Sequence, residues 1–491
     1  MKRNRTISIA LFAALALPGE LAAQQHHHYK IIDVGTFGGP DAYLSYPLPG
    51  EVQINQNGLV VGVADTTSAD PYSPNCLTGE CYLVHAFQWQ KGVLTDLGAL
   101  KETNGSYAFS SNSRGQVVGV SENGEIDSLT GFPELVAALW SNGKITNLGT
   151  LGGNASWSGT INDRGQVAGA ALNDVPDPYG GSLAIPPLFP VATQLHAFLW
   201  EDGVMKDLGT LGGPDSQAQY INASGQIVGQ SFTNSTPNAP ITAPACATSS
   251  GIPTEHPFLW QGNGLIDLGS LGGTCGYANW LTNSGLVVGT MTLPGDTKNH
   301  AFLWKRGTPT DLGTLGGNNS EAWFANEAGE VVGRADFSTS STNHHAFLWR
   351  HGVMKDLGTV AGQANSTAEG INSGGQVVGD SNGNGWLWEN ESIVDLNNVV
   401  VPPDLNLHVG GAAAINDRGE IVATGLPGDG SEHVIVLIPC DGNHPGITGC
   451  DYSMVAADET AMGASATPDA QETTGNADNT TRHSLRRHSI P

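Results

Sequence analysis

Three residue types that often carry chemistry recur at fixed places along this chain: a histidine, a tryptophan and an aspartate. The clearest copy contains His300-Ala-Phe-Leu-Trp304 followed by Asp311-Leu-Gly. Imidazole and carboxylate groups serve in acid–base catalysis, and an indole ring can stack on a sugar. A group that is present in nearly every copy, however, does the same job in each of them. We therefore predict that these residues pack the core and satisfy backbone donors in loops rather than catalyse a reaction.

Better candidates for function stand where the copies differ. In most copies an alanine lies three residues before the end of a short aliphatic segment, and the residue just before this alanine varies. The variable residues that we assign to ligand binding are Tyr107, Trp157, Gln217, Tyr277 and Glu321. Aromatic rings with an amide and a carboxylate can stack on a sugar ring and hydrogen-bond its hydroxyls. The alternative is that these side chains only pack at the rim of the fold.

Signatures of common catalytic and cofactor sites are absent from the sequence. It has no Gly-x-Ser-x-Gly motif, no His-Glu-x-x-His motif, no EF-hand loop and no P-loop. We therefore assign no catalytic residue and no cofactor. An acidic insert, Asn173-Asp-Val-Pro-Asp-Pro178, contains the oxygen ligands that Ca²⁺ takes, although such a loop is more often simply solvated.

The six cysteines all follow an apparent export signal. An even number of cysteines in an exported chain indicates disulfides, and the absence of any Cys-x-x-Cys pair argues against a metal site. The sequence leaves the connectivity open among 15 pairings. The predicted disulfide cysteines are Cys76, Cys81, Cys246, Cys275, Cys440 and Cys450.

These residues belong to a repeated unit whose Asp-Leu-Gly segments at Asp267, Asp311 and Asp356 give a period of about 45 residues. Each unit has four short segments that are rich in Val, Ile, Phe and Trp and bounded by turn residues, which is typical of strands. Asn142-Gly143 predicts a tight hairpin between two segments, and Asn162-Asp-Arg-Gly165 predicts a type I turn between two others. Four strands in such a period indicate a propeller blade.

Each segment type occurs eight times, and the two ends of the chain complement each other. The first copy starts at its second segment, Tyr29–Asp33, and the last copy stops after its first segment, His433–Leu437. Joining the ends completes one unit and leaves no open sheet edge. The sequence thus predicts an all-β fold, a β-propeller of about eight four-stranded blades closed by pairing of the N- and C-terminal strands.

The His-Ala-Phe consensus resembles the HAF family of bacterial extracellular repeat proteins, over about Asp33 to Leu437. The resemblance implies export and a repeat fold. It implies no activity and no catalytic residue. Some copies depart from the motif, such as Ala137-Ala-Leu-Trp140, so that histidine is not needed in every blade.

The remaining segments predict the location of the protein and the bounds of its domains. A basic start and an apolar run from Ile7 to Leu17 predict a signal peptide at 1–23 and export to the periplasm or medium. The predicted propeller spans 24–440, and 441–491 is predicted to be a short Cys-bounded loop and a disordered tail. No later run is long enough for a membrane span. The net charge of −26 argues against nucleic acid as a partner.

Connections between strands alternate between two faces of a propeller. The variable inserts before each His-Ala-Phe segment and the Gly-Thr-Leu-Gly-Gly loops therefore share one face, where we expect ligand binding, mainly on the N-terminal half with its longer inserts. Three functions remain open: a binding scaffold for carbohydrate or another cell-envelope component, a polysaccharide hydrolase or lyase, and a structural protein of surface assemblies.

Overall fold

The computed structural model describes residues 26–44, 52–76, 81–179, 193–248, 251–401 and 406–450. The predicted signal peptide and the predicted C-terminal tail lie outside the described residues. Within them, the chain forms strands joined by turns, with two short 3-10 helices, Pro244–Cys246 and Leu396–Asn398. No helix in these ranges has the length and apolar character needed to cross a bilayer.

The strands form eight antiparallel four-stranded sheets, which are the blades of a β-propeller. The first strand, β1 (Tyr29–Asp33), belongs to the last blade. Blade one contains β2 (Gly38–Tyr43), β3 (Val60–Ala69), β4 (Tyr82–Gln90) and β5 (Val93–Asp96). Blade two contains β6 (Ser106–Ser111), β7 (Val117–Ile126), β8 (Pro133–Ser141) and β9 (Lys144–Asn147). Blade three contains β10 (Gly152–Ile161), β11 (Val167–Pro176), β12 (Thr193–Glu201) and β13 (Val204–Asp207).

The next blades repeat this order with shorter strands. Blade four contains β14 (Ser216–Ile221), β15 (Ile227–Phe232), β16 (Glu255–Trp260) and β17 (Leu265–Asp267). Blade five contains β18 (Gly276–Leu281), β19 (Val287–Thr292), β20 (Asn299–Trp304) and β21 (Thr310–Asp311). Blade six contains β22 (Ser320–Ala325), β23 (Val331–Asp336), β24 (His344–Arg350) and β25 (Val353–Gly358). Blade seven contains β26 (Thr367–Ile371), β27 (Val377–Asp380), β28 (Gly385–Glu389) and β29 (Ser392–Asp395).

Blade eight is built from both ends of the chain. It contains β30 (Leu407–Ile415), β31 (Ile421–Pro427) and β32 (His433–Pro439), and β1 pairs antiparallel with β32 as its fourth strand. In this pair Nδ1 of His433 lies 2.8 Å from a carboxylate oxygen of Asp33. The predicted eight-bladed propeller, closed by the terminal strands, is confirmed.

The first strand of each blade is the innermost one, because these strands contact one another from β6 round to β30 and so surround a central channel. Successive connections alternate between two faces. The hairpin face contains the two tight turns of each blade, such as Asn142-Gly143, where both φ angles are positive, as a type I′ turn requires. The insert face contains the variable inserts and the Gly-rich loops between blades.

The hydrophobic core lies between the blades. One cluster, for example, joins Val332 and Leu348 of blade six to Ala368, Trp386 and Trp388 of blade seven. The phenylalanines of the His-Ala-Phe segments are fully buried there: Phe87, Phe198, Phe258, Phe302 and Phe347. Burial of large apolar surfaces at each contact is the main stabilising contribution in such a ring.

A ring of asparagine side chains links the blades near the hairpin face. Each Asn begins the turn between the first two strands, and its Nδ2 donates to the main-chain oxygen of the equivalent residue in the next blade at 2.8–3.2 Å. The donors are Asn55, Asn112, Asn162, Asn222, Asn326, Asn372 and Asn416. Asn416 donates to Asn55 and so closes the ring between blades eight and one. Blade five has Thr282 at this position, which has no amide hydrogen to donate.

A serine near the start of the inner strand forms a second link to the preceding blade. The Ser106 hydroxyl donates to the Gly98 oxygen at 2.8 Å and accepts from the Ala86 nitrogen at 2.9 Å. The same pair of bonds occurs at Ser156, Ser216, Ser320 and Ser366. Between blades four and five both partners differ: Pro257 has no N–H, and Gly276 has no hydroxyl.

Candidate functional site

The five ligand-binding candidates occupy one equivalent position on five consecutive inner strands. Each is paired across its blade with a residue of the second strand, as Tyr107 is with Val120 and Glu321 is with Arg334. The structure therefore places all five side chains at the same level round the channel, near the insert face. What surrounds them differs between the two halves of the propeller.

In blades two to five, the aromatic candidates pack in or against one hydrophobic cluster that includes residues of the blade four insert. Trp157 is only 4% exposed and belongs to a hydrophobic cluster with Ile241 and Ala243 of that insert. Tyr107 and Tyr277 pack against the same cluster from blades two and five. Trp157 thus packs in the core and presents no open ring face for stacking.

The insert of blade four is fixed in this position by several bonds. Its Thr242 and Ala243 nitrogens donate to the Asp296 oxygen at 3.1 and 2.9 Å, and a disulfide joins Cys246 to Cys275 just before β18. Gln217, next along the ring, is also buried, and the Gln230 amide donates to its side chain at 3.5 Å. We expected the binding site on this N-terminal half, where Trp157 and Gln217 are each 4% exposed.

Blades six and seven have short inserts, and the same level of the channel is polar and accessible there. Arg334 donates to Glu321 at 2.7 Å, and its side chain remains 34% exposed while that of Glu321 is 9% exposed. The guanidinium lies 5.4 Å from the ring centre of Trp323, a cation–π contact. Glu369 on β26 and Tyr277 on β18 flank this ion pair. We call Tyr277, Glu321, Trp323, Arg334 and Glu369 the Arg334 cluster.

The electrostatics of the cluster follow from burial and neighbouring charges. Burial would lower the pKa of Arg334, but the Glu321 carboxylate outweighs this effect and raises it, so the guanidinium stays charged. Burial, reinforced by Asp380, raises the pKa of Glu369 to about 7, although a hydrogen bond from Thr367 opposes the rise. Burial and the nearby Arg334 charge lower the pKa of His344, which is therefore neutral at pH 7.

Two of the five sequence candidates, Tyr277 and Glu321, thus meet in one accessible cluster. Sequence reasoning missed Arg334, Trp323 and Glu369. Arg334 follows the Val-Val-Gly segment, where the other copies have uncharged residues or, in blade seven, the acidic Asp380, so a lone basic residue there was the available signal. Trp323 and Glu369 each lie one position beyond the repeated alanine. Glu321 and Glu369 stand too far apart in the sequence to be assigned as a carboxylate pair.

The repeated histidine and aspartate pair with each other inside their blades. In six blades His Nδ1 lies 2.8–2.9 Å from an Asp carboxylate oxygen. Each Asp also accepts from a loop N–H, as Asp207 does from Gly209 at 2.7 Å. Burial tends to raise the pKa of Asp207, but the bonds from His196 and Gly209 outweigh it and lower the pKa. The predicted loop-capping role of the aspartate agrees with these bonds.

The cysteines form three disulfides, Cys76–Cys81, Cys246–Cys275 and Cys440–Cys450, and none is free in the described residues. The predicted use of all six in disulfides is confirmed.

In the acidic insert, Asn173 Oδ1 accepts from the Val175 nitrogen and Asp177 Oδ1 from the Tyr179 nitrogen, so these oxygens stabilise turns. No group of three or more His, Cys, Asp or Glu side chains in the described ranges could hold a metal ion. Calcium binding stays a prediction.

Comparisons with known proteins identify no family for this chain. No family model and no curated protein matches the chain. A solved gluconolactonase from Xanthomonas campestris is 12% identical with a TM-score of 0.28, covering 50% of this chain and 78% of that one. A second structure, of a candidate gluconolactonase, is 10% identical with a TM-score of 0.28, covering 84% and 92%. Similarity this low supports no argument about activity, and the HAF resemblance stays a prediction.

Proposed function

We propose that this protein is an exported binding propeller whose ligand is a carbohydrate held at the Arg334 cluster. The observation that carries the proposal is the convergence, from three neighbouring blades, of two carboxyl groups and two aromatic rings on a charged Arg334 whose side chain is 34% exposed. Rigid sites of this kind, with a few well-placed polar groups beside aromatic surface, are typical of small-ligand recognition.

The chemistry of the cluster suits sugar hydroxyls. A guanidinium offers several N–H donors in a plane, and the carboxyl oxygens of Glu321 and Glu369 accept from hydroxyls. The contacts of Arg334 with Glu321 and Trp323 fix the guanidinium before any ligand arrives, so little side-chain freedom is lost on binding. Export, as the signal peptide predicts, would place this site among envelope or environmental polysaccharides.

A glycan and cell-wall polysaccharide array, run with and without EDTA, tests the proposal. We expect binding that Arg334→Lys weakens about tenfold, because lysine keeps the charge beside Glu321 but loses the planar donor set. Arg350→Lys is the matched control, since Arg350 pairs with Glu391 on the hairpin face. A blank array, or hits that Arg334→Lys leaves unchanged, would contradict the proposal. Loss of binding in EDTA would instead support the calcium prediction.

A second candidate, a polysaccharide hydrolase or lyase, is favoured by one observation. The pKa of Glu369 is raised to about 7, as suits a general acid, and the Glu321 carboxylate lies in the neighbouring blade. If the site is catalytic, the protein releases new chain ends from a bound polysaccharide, and Glu369→Gln stops this release without abolishing binding. Binding with no release of chain ends would leave the scaffold function alone.

A further inference from the structure

We infer that the ligand is a saccharide without carboxylate, sulfate or phosphate groups; this inference rests on the proposed carbohydrate-binding function of the Arg334 cluster. It follows from the balance of charge round the cluster. An anionic sugar needs a cation that is free to pair with it, and the cluster has no such cation to offer.

The charge of the single guanidinium is already balanced by Glu321. Arg334 donates to Glu321 at 2.7 Å, and the Glu321 side chain, at 9% exposure, has little water to replace that bond. Pulling Arg334 toward a ligand carboxylate would leave a buried carboxylate unpaired, which is more costly than the new pair is favourable. The other basic group nearby, His344, is neutral at pH 7 because burial and Arg334 lower its pKa.

The remaining charged groups are acidic. Glu369 on β26 lies near Arg334, Asp380 on β27 lies near Glu369, and Asp380 accepts from the Gly383 nitrogen at 2.8 Å rather than from a cation. The described inner strands, from β2 to β30, contain no lysine or arginine. An anionic sugar would therefore meet the acidic groups Glu369 and Asp380 with no free cation to balance them, whereas hydroxyl groups can donate to the same oxygens.

The test uses matched sugars that differ only in charge. The methyl glycosides of glucose, galactose and mannose, each with its uronic acid, are titrated into the full chain at pH 7.5, and binding is followed by ligand-observed NMR. We expect at least one neutral sugar to bind, and to bind at least tenfold more tightly than its acid. An acid that binds as tightly as its neutral partner overturns this inference while leaving carbohydrate binding intact. No binding by any of the six sugars would overturn the proposed function together with the inference.

A charge-removing variant checks that the cluster causes the discrimination. Glu369→Gln with Asp380→Asn keeps the size of both side chains and removes both charges. We expect the preference for the neutral sugar to fall to below threefold in this variant. Glu391→Gln, on the hairpin face beside Arg350 and Lys355, is the control and should leave the preference unchanged. An unchanged preference in the folded double variant would contradict the assignment to these carboxyl groups.

Discussion

At the residue scale, the unusual groups outside the Arg334 cluster are three buried carboxyls beside the long inserts. Glu122, Asp215 and Glu255 are 0%, 1% and 4% exposed, and each has one oxygen without a hydrogen-bond partner among the described residues. Burial raises the pKa of Glu122 and of Asp215 to about 7 and that of Glu255 to about 8. The structure therefore accommodates these groups best in their neutral form.

This arrangement predicts that stability decreases as pH rises. A carboxyl whose pKa is raised on folding costs nothing below its ordinary pKa of about 4.5, and the cost grows until the pH passes its folded pKa of about 8. We expect thermal unfolding of the wild type to begin a few degrees lower at pH 8.5 than at pH 5.5, and Glu255→Gln to reduce this difference. Exposed Glu102→Gln is the control. Identical pH dependence in Glu255→Gln and the wild type would refute the assignment.

At the scale of elements, the contact between blades four and five departs in two places at once from the five contacts that have the serine link. Pro257 has no N–H and Gly276 has no hydroxyl, so the donor and the acceptor that pair at the other contacts are lost together. A Cβ at Gly276 would lie 3.2 Å from Pro257 Cδ and 2.9 Å from Met291 Cγ. The proline at 257 and the glycine at 276 are thus linked by direct packing across the contact between the two blades.

A double-mutant cycle measures this link. Gly276→Ser alone should destabilise the protein by about 1–3 kcal/mol, because the hydroxyl is buried beside a proline that cannot donate. Adding Pro257→Ala restores the N–H and should recover at least about 1 kcal/mol through coupling between the sites. Chemical denaturation of the wild type, both single variants and the double variant gives the coupling energy. Simple additivity of the two single effects would rule out the proposed pairing.

The sequence predicts the strands and hairpins, but it does not predict packing between distant segments. Strands, hairpins and the four-stranded unit depend on local patterns, so the His-Ala-Phe and Asp-Leu-Gly segments were sufficient to identify them. Burial of Trp157 depends on an insert that starts some 75 residues later and folds over it, which no local pattern reveals. The pairing of Glu321 with Arg334 needed the strand register, which the repeat alone leaves open by one or two residues.

At the scale of the whole molecule, asparagine side chains link neighbouring blades at the hairpin face, except between blades five and six, where Thr282 replaces the asparagine. Thr282 Oγ1 still accepts from the Leu286 nitrogen at 3.0 Å and lies 2.9 Å from Ser284 Oγ, so its own turn is intact, but it has no amide group that reaches blade six. The contact between blades five and six therefore lacks a bond that seven other contacts have.

We expect Thr282→Asn to complete the ring and raise the free energy of unfolding by about 0.5–1.5 kcal/mol, the usual net value of one hydrogen bond. Asn416→Thr is the converse variant, because it removes the bond that closes blades eight and one, and it should destabilise by at least as much. Denaturant midpoints measure both changes. A Thr282→Asn variant less stable than the wild type would show that the turn of blade five does not accommodate the amide.

The unit that repeats in the sequence is offset from the blade. It begins with the third and fourth strands of one blade and ends with the first and second strands of the next, and the serine link lies inside it. A tandem duplication of one sequence unit would therefore carry a complete inter-blade contact with it and would lengthen the ring by one whole blade. The terminal strands would remain matched whatever the number of copies. The number of blades can therefore change by one with each duplication, and no intermediate sequence encodes an open ring.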